Sequence, residues 1–187
     1  MLKIFVSVLL LFVFVYDGFA LSPKKNTKLQ ESLNSASKYS HLCLLFDLYG
    51  LWEVVKWIPY YDVKPDEWRK NPKFRRKQWV YFNSKGNMKI LGTDKGKWTL
   101  DDVRRKLSES ELYAEAVMKR KGFFSFTYAA DASTVLWRCS VADIDFKIPE
   151  MDIEIKKGDV IMTMLDDTNT IRYFRQLRAV NKSEKKR

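Results

Sequence analysis

Trp79 and Tyr81 stand two residues apart, as do Phe124, Phe126 and Tyr128, and in an extended chain residues so spaced share a face. Trp137 and Tyr173 sit centrally in two further apolar runs. If these faces turn inward in a closed sheet, the rings line a cavity suited to a flat or long apolar molecule. The same rings would equally fill a small barrel solidly, and their spacing does not separate the two. Lys56 has the parity of Trp52 and Val54, so an unbroken strand points it into the barrel, where it would meet a carboxylate head group; a lysine that snorkels to the surface is the commoner arrangement. The chemistry these residues offer is noncovalent binding of a small hydrophobic ligand.

Bond-making chemistry has little to work with. His41 is the only histidine and lies in a basic, polar stretch. The sequence has no nucleophile elbow, HExxH pair or phosphate-cradling glycine loop. The acid pairs Asp101–Asp102 and Asp166–Asp167 fall where solvated turns are expected. Cys43 and Cys139 are too few for a disulfide scaffold and cannot build a zinc site by themselves. In an oxidising compartment they can pair and tie the start of the domain to a later strand; two buried thiols fit the count as well. The expectation is a protein that is not an enzyme and carries no cofactor or metal.

The elements that must position these residues are short. From Leu44 the chain reads as apolar runs separated by turn signals, the pattern of an antiparallel all-β domain. Strands are expected at Leu51 to Ile58, Gln78 to Phe82, Met88 to Leu91, Lys97 to Leu100, Leu112 to Lys119, Phe123 to Ala129, Thr134 to Phe146, Met151 to Ile155, Val160 to Leu165 and Ile171 to Leu177. Val135, Trp137, Cys139 and Val141 share one parity and Ile144 and Phe146 the other, which calls for a bend near Ala142 and Asp143. Asp101 to Val117 also has an acid-first start and good helix formers, and Leu29 to Leu48 has room for a helix across the barrel floor. The fold predicted is a closed up-and-down barrel of about eight antiparallel strands over residues 44–180, with room for one short helix and a charged tail from 181.

Residues 1–20 have a positive end, an apolar core and small residues near Ala20, the features of a secretory signal peptide. Residues 21–43 are rich in Lys, Ser and Asn, as a flexible linker would be. Together they resemble the bipartite leader of apicomplexan proteins, which implies the apicoplast or a parasitophorous vacuole; without that resemblance the expectation is extracellular. The formal charge is +11, and Lys64 to Gln78 carries seven Lys or Arg against two acids. Arg69, Lys70, Lys73, Arg75, Arg76 and Lys77 thus form a candidate surface for anionic membranes or acidic proteins, with nucleic acid ranked below them for a secreted chain.

Gly50-x-Trp52 opens the first strand, a long loop with three prolines follows it, and Arg175 and Arg178 lie in the last strand. With the leader, these features resemble the lipocalin family and its calycin relatives. The resemblance spans residues 48–178. It implies a small barrel that carries a hydrophobic ligand such as a lipid, an isoprenoid or a haem-like molecule, with the long loop as a lid. It also implies that Trp52 packs across the closed end with a last-strand arginine, Arg178 or else Arg175, over its ring. The Thr-Asp-Tyr turn of that family is missing, and "NKSEKKR" stands where its final helix would begin. Calycin relatives include lipid isomerases, which keeps an enzymatic alternative beside the carrier.

Overall fold

The structure is a computed structural model that describes residues 31–59, 77–93, 98–149, 152–165 and 171–180. It is an all-β closed barrel of eight antiparallel strands. In chain order the strands are β1 (Ser40–Leu42), β2 (Gly50–Pro59), β3 (Lys77–Phe82), β4 (Asn87–Thr93), β5 (Ala114–Arg120), β6 (Phe123–Tyr128), β7 (Thr134–Ala142), β8 (Phe146–Ile148), β9 (Ile153–Ile155), β10 (Val160–Leu165) and β11 (Ile171–Ala179). The barrel runs β2-β3-β4-β5-β6-β7-β10-β11 and closes where β11 pairs with β2. β8 and β9 form a separate hairpin inserted between β7 and β10.

Two short helices accompany the barrel: α1, residues 31–36, and α2 (Leu100–Glu109). The stretch 31–42, expected to be linker, is therefore α1, a 3-10 turn and β1. Its signal lay in Leu33 and Ala36, which share a helical face and are buried. Leu33 packs with Ile58, Ile161, Ile171 and Phe174 on the outer wall, where the β8–β9 hairpin adds Ile148, Ile153 and Ile155. His41 belongs to β1, and its Nδ1 lies 2.6 Å from Asp143.

Residues expected to extend a strand from Lys97 instead lead into α2. Thr99 caps it: its hydroxyl accepts from Asp102 N at 3.1 Å, and the Asp102 carboxylate accepts from Thr99 N at 3.0 Å. Val103 and Leu107, four apart, bury one face against Trp79, Leu51 and Leu91. Each such burial stabilises by about 2 kcal/mol.

β7 organises the closed end. On one edge it pairs with β6 along Thr134–Arg138 and then with β1 along Ser140–Ala142. Gly122 lies at the changeover, donating to Cys43 O and accepting from Cys139 N, both at 2.8 Å. Its φ is +74°, and a Cβ there would sit 2.6 Å from the Leu42 side chain, so only glycine fits. Cys43 and Cys139 are joined by a disulfide with Cα atoms 5.5 Å apart, across 96 residues of sequence. The bend expected after Ala142 is present, at Asp143 to Asp145.

Closing a loop of that length by a disulfide stabilises by about 4 kcal/mol. Cys139→Ala, or dithiothreitol treatment of the wild type, is expected to lower the unfolding free energy by a comparable amount. Urea titration with and without reductant checks this.

Candidate functional site

Cross-strand register fixes which side chains face inward. Trp52 pairs with Val80 and Ala179, Val54 with Gln78 and Leu177, and Met162 with both Arg175 and Cys139. At the floor the interior is filled. Leu48, Phe82, Met88, Phe124, Cys139 and Val160 are each between 0% and 2% exposed. The 3-10 turn Leu45–Leu48 crosses beneath them, and Trp52 Nε1 donates to Leu48 O at 2.7 Å. Gly50, with φ +120°, lets the chain turn from that floor into β2. Phe126 continues the packing, with its ring 6.1 Å from Phe82 and 6.0 Å from Trp137.

The other half of the barrel differs. Val54, Ile90, Val135, Met164, Tyr173 and Arg175 border the same interior yet keep part of their surface exposed. This half, the chamber, is the more open end of the barrel interior, above a packed floor.

Arg175 stands in that chamber. Its guanidinium carbon lies 5.1 Å from the centre of the Trp137 ring and 5.5 Å from that of Trp57, where both π faces favour a cation. Among the described residues, the Tyr128 and Tyr113 phenols are the polar groups near it. Burial holds its pKa below the ordinary arginine value, with those phenols opposing the shift. It remains cationic at neutral pH. Burial likewise pushes the Tyr128 phenol up, against the nearby Arg175 charge. Arg175 Nε, Trp137 Nε1 and Gln78 Oε1 are shut away from solvent without a hydrogen-bond partner.

Of the expected lining residues, Phe124, Phe126, Trp137 and Tyr173 face the interior, the first two within the filled part. Trp79 and Tyr81 do not. Trp79 pairs with Glu53 and Leu91 on the outer wall, stacks on Trp98 at 5.8 Å and is covered by α2. Tyr81 is outward and 39% exposed. Lys56 also faces outward, because β2 bulges at Val55: Leu177 pairs with Val54 but Gln176 pairs with Lys56. The bulge turns Trp57 inward, so an aromatic replaces the expected lysine.

The expected last-strand arginine over Trp52 is absent as well. Arg178 faces outward and grips the buried Asp159 through Nε at 2.9 Å and Nη2 at 2.7 Å, while Arg175 faces inward but meets Trp57 and Trp137. Ala179 is the neighbour across from Trp52. Arg69, Lys70, Lys73, Arg75 and Arg76, with the expected lid, lie outside the described residues. Lys77 pairs with Glu53 at 3.1 Å and lies over the Trp79 ring.

Two grooves flank α1 on the outer wall, with volumes of about 210 Å³ and 540 Å³, and both are open to solvent. Neither is lined by a ring of the barrel interior; the candidate site is the upper interior around Arg175, where the guanidinium meets the Trp57 and Trp137 rings. Comparisons with protein-family models, curated proteins and solved structures find no match.

Asp159 also accepts from Gln176 Nε2 at 2.6 Å and from Lys156 N at 2.8 Å, so Arg178 neutralises a carboxylate that is only 2% exposed. Arg178→Ala strands that charge and is expected to cost about 3 kcal/mol in urea unfolding. Lys77→Ala, on an exposed pair, should cost less than about 1 kcal/mol.

Proposed function

We propose that this chain binds and carries a small hydrophobic molecule in the upper half of its barrel, within the secretory pathway. The observation that carries this reading is the contrast between a floor sealed by Leu48, Trp52 and Phe82 and inward apolar side chains above it that keep exposed surface. Pockets that hold small molecules are concave, mostly apolar and furnished with a few polar groups. The disulfide Cys43–Cys139 supports an oxidising compartment. Trp52, seated over the closed end, is consistent with a lipocalin-like carrier.

The fluorophore ANS, which brightens in apolar sites, tests the reading. One molecule is expected to bind per chain. Ile90→Trp and Met164→Trp, which fill the chamber, should each weaken binding at least tenfold. Tyr81→Ala, on the outer wall, should leave it unchanged. Wild-type protein that binds no ANS, or filled variants that bind as well as wild type, would sink the proposal.

A further inference from the structure

We infer that the molecule held in the chamber is an apolar carboxylic acid whose carboxylate seats on Arg175 between the Trp57 and Trp137 rings. The inference rests on the carrier reading and names the class of its ligand.

Arg175 is inward by register. Its neighbours across the strands are Met162 on β10 and Trp57 on β2. No carboxylate of the described residues pairs with it: Glu53 is held by Lys77 and Asp159 by Arg178, both on the outer wall. The contrast between the two arginines of β11 is informative. Arg178, on the outside, has a bidentate acid of its own, whereas Arg175, in a poorer solvent for charge, meets rings and phenols among the described residues. A cation so placed destabilises the empty protein, and an anion brought in by a ligand relieves it. Arg175 Nε is a buried donor without an acceptor, Trp137 Nε1 has the Tyr128 phenol near it, and a carboxylate presents two acceptor oxygens.

Charge matching favours a carboxylate over a phosphate. Arg175 is the cation that strand register turns inward beside Trp57 and Trp137, since the Val55 bulge has turned Lys56 outward. One guanidinium balances a monoanion; a phosphate dianion would leave a negative charge among apolar walls. Those walls, Val54, Ile90, Val135 and Met164, suit the remainder of an apolar acid.

The test compares two acid and alcohol pairs, hexadecanoate with 1-hexadecanol and retinoate with retinol, by quenching of tryptophan fluorescence in the delipidated full chain. At least one acid is expected to bind tenfold or more tightly than its alcohol. Arg175→Met should erase that preference while still taking the alcohol, and Arg175→Lys should retain part of it. Ligand-free Arg175→Met should also melt several degrees above wild type, because it removes a buried cation that no carboxylate of the described residues neutralises. Equal affinity for acid and alcohol, or a preference that survives Arg175→Met, would overturn the inference and leave the carrier reading intact. Failure of wild type to bind any of the four compounds would overturn both.

Discussion

The pairing of β11 with β2 closes the sheet, and the irregularity in that seam decides what the closed sheet contains. Between Leu177–Val54 and Gln176–Lys56 the register slips by one residue at Val55. Below the slip, Trp52 and Val54 turn inward on the ordinary alternation; above it, Trp57 turns inward and Lys56 outward. Without the bulge a second cation would replace an indole beside Arg175. With it, a single guanidinium lies between two aromatic faces.

Closure also divides the interior. The floor is a packed core stapled by Cys43–Cys139 and underpinned by the 3-10 turn, and it gives the barrel a rigid base. The outer wall is supported separately, by α1 and the β8–β9 hairpin on one side and by α2 on another. Stability therefore does not depend on filling the upper half. A protein supported in this way can hold Arg175 in its upper half with no carboxylate of the described residues beside it.

Much of the barrel was legible in the sequence because strand alternation is strict. The parity of Val135, Trp137, Cys139 and Val141 correctly grouped the inward face of β7, and the turn at Asn83–Asn87 correctly joined β3 to β4. The site was legible only in part. Trp79 and Tyr81 do share a face, but which face depends on register with β2 and on α2, which covers Trp79. The Val55 bulge leaves no mark in residue types, so Lys56 and Trp57 could not be assigned. Arg175 was named from the sequence, but as a partner for Trp52; standing two residues from both Tyr173 and Leu177 in one strand, it shares their face and meets Trp57 and Trp137. A helix within Leu29 to Leu48 was legible, but its place was not: α1 packs Leu33 on the outer wall and not across the floor.

The central claim is that the upper barrel is a filled site in the working protein. Native mass spectrometry of the chain purified gently from its own source, with extraction and identification of whatever accompanies it, tests this most directly. The account predicts one apolar acid per chain, released on denaturation. A folded chain that flies at its bare mass, or one that carries only neutral lipid, would contradict it.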